Sequence, residues 1–459
     1  MASSSRVARG TAAAADKHIG KIITASSVGT MIEWYQFFVF GSLATTLASK
    51  FFQTGTPLGN LIAWLAAFAV GFIFRPFGTV FFGRVGTMIG RDRSYMVTMS
   101  IMAACTFLVG IMPTAESIGA AAGIILVVLR ILQGLALGGE YSGAATYIAE
   151  HAPQNKRGLY TSFLQLSATA GFLLSMLVVL ICRMIFGEAA FDAWGWRAPF
   201  LLSVLLLGLS IYLRSSLKDS PLFLNLKSIG QTANDPVKES ITNPINVRYV
   251  LLAIFGATMG QGVIWYTSQF YALYYMQSVL HVPLLTSAVI MVVVLLLSIP
   301  LFVLSGWLSD QIGRKWMLLG SMALAALSYY SIYATMGNYG PFVGDPAQNI
   351  ANPDYSPFML GLLVCVQMIF VAMAYGPIAA YLVEMFPTRI RYSSMALPYH
   401  IGNGVFGGLV PLFGLLLIQS TGNPLAGVFY TIAIAIICLV VGAIFLRESK
   451  NVDITTTAW

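Results

Sequence analysis

Apolar residues fill this chain in long uninterrupted runs. They occur near 26–49, 58–82, 94–113, 119–149, 159–185, 196–213, 249–279, 284–308, 316–336, 357–383, 393–419 and 425–446. Each run is long enough to cross about 30 Å of hydrocarbon as an α-helix. A β-barrel, the other way to satisfy backbone groups in lipid, needs short alternating segments that this pattern does not offer. The expected fold class is therefore an all-α membrane protein with about twelve transmembrane helices.

Composition agrees, with 58% hydrophobic and 9% charged residues among 459; such a chain cannot cover itself with polar surface in water. Its net charge of +8 would suggest nucleic acid in a soluble protein. Here the positive residues follow the membrane instead. Four Lys/Arg precede the first run, others follow the even-numbered runs, and the loops 186–192, 280–283 and 337–356 hold acids without Lys or Arg. The positive-inside rule then places both termini and the 215–248 segment in the cytoplasm. Cys105, Cys182, Cys365 and Cys438 stand alone inside separate runs, so neither a disulfide nor a metal site is expected.

The two halves of the chain repeat each other. GRVGTMIGRDR (83–93) and GWLSDQIGRKW (306–316) lie 223 residues apart, and EHAPQNKRGLY (150–160) and EMFPTRIRYSS (384–394) lie 234 apart. Two shared patterns in one order at nearly one offset mean two bundles of about six helices. The expected organisation is a tail (1–21), a first bundle (22–214), a linker (215–248), a second bundle (249–446) and a tail (447–459). Repeats of this kind place a substrate near the midplane between halves, reached alternately from each side. A transporter is the natural reading.

The glycine loops resemble those of the major facilitator superfamily. IEWYQFFVFG (32–41), FIFRPFG (72–78), RILQGLALGGEYSGAATYIAEHAP (130–153), DSPLF (219–223) and FPTRIRYSSMALPYHIGNGVFGG (386–408) resemble its metabolite:proton symporter branch over residues 20 to 446. The resemblance implies a bacterial inner-membrane carrier in which a proton gradient is the driving force and no cofactor is used. It implies a cargo of organic acids such as citrate, dicarboxylates and shikimate, or of zwitterions such as proline and betaine. The sequence departs from the branch at Gln36 and Thr87, where aspartate is usual.

The candidate substrate-binding residues are Arg130, Gln133, Tyr35, Gln36, Gln261, Trp265, Tyr266, Gln269, Tyr399, His400 and Asn403. Arg130 and Gln133 share a helical face suited to a carboxylate, and the amide and aromatic groups of the second half suit a small polar solute. Glu33, Gln36 and Glu140 are candidates for proton coupling, because an ionisable group in hydrocarbon needs a partner, a wet cavity or a role. Arg75 reads as a structural arginine near a helix end. Gating is assigned to Gly83, Gly86, Thr87, Arg91, Glu150, Arg157, Asp310, Arg314, Glu384 and Arg391, with Glu150 pairing Arg157 and Glu384 pairing Arg391.

Expected partners are thus a carboxylate-bearing small molecule, protons and the lipid bilayer, with no nucleic acid and a monomeric carrier. Gln36 cannot release a proton, so the chain as written is expected to equilibrate or exchange its solute. A uniporter or exchanger, or a carrier of zwitterions, is the alternative to an organic-acid symporter; a membrane sensor ranks below these. No P-loop, metal motif or nucleophile constellation points to an enzyme or to ATP.

Overall fold

In lipid a backbone must bond to itself, and the apolar runs do so as helices. The computed structural model describes residues 20, 23–24, 27–89, 91–138, 141–214, 242–343, 348, 350–388, 390–450 and 452–454. Helix α1 runs from 27 to 51 with a turn at Leu43. Eleven more, long and apolar enough to span a bilayer, follow among the described residues. They are α2 (Pro57–Phe82), α3 (Ser94–Ile111), α4 (Ala121–Leu137 and Tyr141–His151), α5 (Gln154–Phe186), α6 (Gly195–Tyr212), α7 (Pro244–Val279), α8 (Leu284–Ile312), α9 (Arg314–Asn338), α10 (Pro357–Met385), α11 (Ser393–Thr421) and α12 (Val428–Phe445).

Local chemistry sets several boundaries. Helices α2, α7 and α10 each begin with a capping residue followed by proline: Thr56, Asn243 and Ser356 accept from Gly59, Ile245 and Met359. The side-chain oxygen satisfies an orphan N–H and the proline ring fits the first turn. This cap starts α7 at Pro244, five residues before the apolar run at 249. Gly313, at φ 112°, makes the sharp break between α8 and α9.

The bundle exposes large apolar side chains and buries charged ones among its apolar core. Leu327 and Phe358 are 80% and 76% exposed, whereas Arg75 and Arg130 are fully buried. That inversion suits a lipid surround. The halves α1–α6 and α7–α12 meet most extensively along α5 and α8, where Gly306 lies so close to Ser162 and Gly158 that a Cβ would stand 2.6 Å from the Gly158 carbonyl oxygen. Small residues let these backbones approach.

Two interior helices are not regular α-helix. Helix α7 carries π-helical turns at Ile254–Thr258, Thr267–Tyr271 and Tyr275–Val279, and α11 carries one at Tyr399–Gly407. Such wide turns often mark functional positions. Here they carry Gln269, Tyr399, His400 and Asn403.

Candidate functional site

At the centre of the first half, α4 directs Arg130 toward α1. Its Nη1 donates to Gln133 Oε1 at 2.7 Å and approaches the Phe37 carbonyl at 3.4 Å. Gln133 Nε2 in turn donates to Thr106 Oγ1 on α3 at 2.8 Å, which aims the amide oxygen at the arginine. The guanidinium lies over the rings of Phe37 and Phe40, 3.9 and 4.5 Å from their centroids. Its Nε and Nη2 have no hydrogen-bond partner among the described residues.

Arg75, read from the sequence as a structural arginine near a helix end, is the second cation here and is fully buried. Gly71, Gly134 and Gly138 bring α2 against α4 so closely that no side chain would fit between them. The arginine is held inside, its guanidinium 4.3, 4.4 and 4.9 Å from the ring centroids of Phe72, Phe37 and Trp34. Among the described residues none of its three nitrogens makes a hydrogen bond of good geometry, although the Tyr266 hydroxyl of α7 faces it. Arg75 and Arg130 are close enough to repel each other. Cation–π contacts stabilise such groups by about 1–2 kcal/mol, less than the several kcal/mol that burial of an unpaired ion costs. Two arginines therefore leave a buried demand for negative charge.

The second half closes over this place with α7. Trp265 stacks on Phe38 at 5.2 Å and donates Nε1 to Thr169 of α5 at 3.2 Å, while Gln269 Nε2 is 3.4 Å from the same hydroxyl. Gln261 Nε2 approaches Asn403 Oδ1 at 3.4 Å. The Oε1 atoms of Gln261 and Gln269 have no donor among the described residues. Tyr266 sits edge-on to Phe72, on the Arg75 side. Tyr399 pairs with Tyr375 at 2.6 Å and stacks on Tyr141 across the halves with centroids 3.4 Å apart. Thr106, Thr169, Tyr141 and Tyr375 are contributors that the sequence reading missed. A lone threonine or tyrosine inside an apolar run gives no signal until its neighbours in space are known.

Two candidates on α1 face elsewhere. Tyr35 donates its hydroxyl to the Pro199 carbonyl at 2.6 Å, and Gln36 Nε2 approaches the Ser203 carbonyl at 3.5 Å. Both are turned to α6, so they pack α1 within its own half instead of lining the arginine site. Glu33 is buried, accepts from the Tyr95 hydroxyl of α3, and lines a small cavity with Thr30, Trp34, Leu137, Tyr141 and His400. Glu140 lies outside the described residues.

At the end of the molecule that carries the arginine-rich turns, the halves are joined by charge. Arg157 Nη1 binds Glu384 Oε1 at 2.8 Å, and Arg391 Nη1 binds Glu150 Oε1 at 3.2 Å. The pairs predicted within each Glu-x-x-Pro-x-x-x-Arg motif are thus exchanged. Each motif turns its Glu and its Arg to the other copy, because the pseudo-twofold relation brings the two turns face to face. Arg314 joins Glu384 at 3.2 Å and Asp310 at 2.8 Å. Asp310 also accepts from the Gly158 and Leu159 amides at 2.9 and 2.8 Å, a carboxylate on the first turn of α5. Burial lowers the Arg391 guanidinium to about 10, against the opposing pull of Glu150. The side chains of Gly83, Gly86, Thr87 and Arg91 fall outside the described residues.

Known proteins share this architecture. Residues 21–243 match the family described as sugar (and other) transporter, and residues 250–457 match the major facilitator superfamily. The glycine betaine/proline/ectoine/pipecolic acid transporter OusA of Dickeya dadantii (strain 3937) is 33% identical over 95% of this chain and 85% of its own. The proline/betaine transporter of Escherichia coli (strain K12) is 32% identical over the same shares. A putative metabolite transport protein of Haemophilus influenzae is 32% identical over 94% of each chain. Among solved structures, the xylose transporter XylE from E. coli, in a partially occluded inward-open conformation, superposes with a TM-score of 0.69 at 19% identity over 95% of this chain and 99% of its own. The chain belongs to the major facilitator superfamily: it is a multi-pass membrane transporter, not an enzyme.

Proposed function

We propose that this chain carries a small zwitterion of the proline and glycine betaine type across a bacterial inner membrane by alternating access. The observation that carries this reading is the Arg75–Arg130 pair: two fully buried guanidiniums with five nitrogens lacking hydrogen-bond partners and no carboxylate beside them among the described residues. A substrate carboxylate answers that demand with charge-assisted hydrogen bonds. The aromatic group of Phe38, Trp265 and Phe270, one ring beyond those that the arginines cover, supplies ring faces for the cationic end. The names of the relatives favour the zwitterion over the organic acid expected from sequence. A dicarboxylate is the second reading, because two cations can take two anions.

The basic end is assigned to the cytoplasm by the positive-inside rule, and the carrier works as a monomer with each half rocking about the substrate. Counterflow of labelled proline, glycine betaine, succinate and citrate in proteoliposomes tests the cargo. Proline or glycine betaine is expected to exchange. Arg130→Gln and Arg75→Gln each remove one charge and are expected to lower its apparent affinity at least tenfold. Unchanged affinity in both variants overturns the carboxylate assignment, and exchange of citrate or succinate alone overturns the zwitterion.

A further inference from the structure

Past α12 the chain turns back across the basic end and stays in contact with it. Glu448 sets its carboxylate on the first turn of α9: Oε1 accepts from the Arg314 amide at 2.8 Å and Oε2 from the Lys315 amide at 3.0 Å. A carboxylate there satisfies orphan donors and the positive end of the helix dipole. Gly313 leaves the room for it, since a Cβ at that position would stand 2.3 Å from a carboxylate oxygen of Glu448. Farther on, Lys450 Nζ donates to the Gln311 carbonyl at 2.6 Å, and the Ile454 side chain is buried in the apolar core. The segment is thus anchored to the second half at both of its ends.

Between these anchors it grips the residues that join the halves. Glu384 Oε2 accepts from the Ser449 hydroxyl at 2.7 Å, while Oε1 takes Arg157 of the first half at 2.8 Å. Arg391 Nη2 donates to the Ile454 carbonyl at 2.7 Å, while Nη1 reaches Glu150 of the first half at 3.2 Å. Thr388 Oγ1 donates to the same carbonyl at 2.7 Å, and Arg157 Nη1 approaches the Val452 carbonyl at 3.5 Å. Each ion pair across the seam therefore has one atom held by the opposite half and another held by this segment.

We infer that residues 446–450 and 452–454 form a strap that keeps the basic end shut: the Ser449 hydroxyl and the Ile454 carbonyl hold Glu384 and Arg391 aimed across the seam, and lifting the strap lets the halves part there. This rests on the alternating-access reading above and gives the segment after α12 a part in it. A buried ion pair repays its desolvation only when its geometry is good and its remaining lone pairs and N–H groups are also satisfied. The strap supplies those remaining bonds with a hydroxyl and a carbonyl, so it aims both pairs without adding a competing charge. Ser449 and Ile454 are positioning residues in this sense. The outer side of the strap, at Arg447, Glu448, Val452 and Asp453, is exposed, so it can lift without unpacking a helix.

The test needs no knowledge of the cargo. Purified full-length protein with its four cysteines changed to alanine carries one maleimide reporter at a time: Ser162→Cys in the seam against Gly306, or Thr45→Cys at the opposite end, where Thr45 donates to Gln277. Ser449→Ala is expected to raise labelling of the first about fivefold and to lower labelling of the second, and Ser449→Thr to restore both. Ile454→Asp, whose charge cannot be seated in the core, is expected to raise the first about tenfold. Labelling of Ser162→Cys within twofold of the parent in both Ser449→Ala and Ile454→Asp overturns the strap. So does a rise of both reporters together, which is what a general loosening of the fold would give. Glu384→Gln separates this failure from that of the underlying reading: if it drives the two reporters in opposite directions while the strap variants do not, the strap alone falls, and if it does not, alternating access falls with it.

Discussion

The halves are tied together at both ends of the molecule, but by different chemistry. At the basic end Glu384 accepts from Arg157, Arg314 and Ser449, and Glu150 holds Arg391. At the opposite end the ties are neutral: Tyr274 donates to the Gly41 carbonyl at 2.7 Å and Thr45 to Gln277 at 2.9 Å. Buried ion pairs are near neutral when whole and costly when broken, whereas a neutral hydrogen bond is worth about 1 kcal/mol either way. On the alternating-access reading proposed above, the basic end acts as a latch with a sharp threshold and the neutral end as a soft contact that yields first. Such an asymmetry suits a carrier that waits closed toward the arginine-rich side.

Glu384→Gln breaks the comparison most severely. The glutamine keeps the shape but leaves Arg157 and Arg314 buried with less negative charge, a loss of about 3–5 kcal/mol. Maleimide labelling of Ser162→Cys, in the seam against Gly306, is expected to rise more than a hundredfold or to reach saturation. A change under threefold shows that the latch does not hold this seam.

Tyr274→Phe removes one neutral tie at the other end. Its cost is about 1 kcal/mol, and melting should fall by roughly 1–2 °C. Labelling of Ser162→Cys should not rise, since loosening the far end cannot favour opening of the near one. An increase in that labelling would mean the two ends are not alternatives.

The architecture was legible because lipid imposes it: the apolar runs, the charge bias of the loops and the duplicated motifs predicted twelve helices in two halves, and the helices observed keep nearly those bounds. Arg130 and Gln133 were legible as neighbours because three residues along a helix share a face. Arg75 was legible as an ionisable group within an apolar run, but not its stack of rings, because the close approach of α2 to α4 depends on glycines far away in sequence. The exchanged gate pairs were not, because a motif read along one chain shows its own Glu and Arg as nearest, while the fold sets each against its copy. Tyr35 and Gln36 show the same limit: helical angles place them on a face, and only the packing says that α6 covers it.

Thr87 offers the finest test of the comparison, since it stands where the first copy of the glycine loop lacks the carboxylate of the second. Asp310 binds two amides on the first turn of α5 and also pairs with Arg314, so one residue closes a helix end and an ionic latch at once. The 234-residue offset between the motifs makes the backbone at 392–393 the counterpart of Gly158 and Leu159, and so the expected partner of a carboxylate at position 87. A threonine there offers a dipole but no charge. Thr87→Asp should therefore add about 0.5–1 kcal/mol to closure of the basic end, the usual worth of a carboxylate at a helix N-terminus. That corresponds to a two- to fivefold fall in Ser162→Cys labelling. Thr87→Asn, which matches the aspartate in shape without its charge, should give less than half of that free-energy change. If the aspartate raises labelling, or if asparagine does as well, the two loops are not functional copies and the latch belongs to the second half alone.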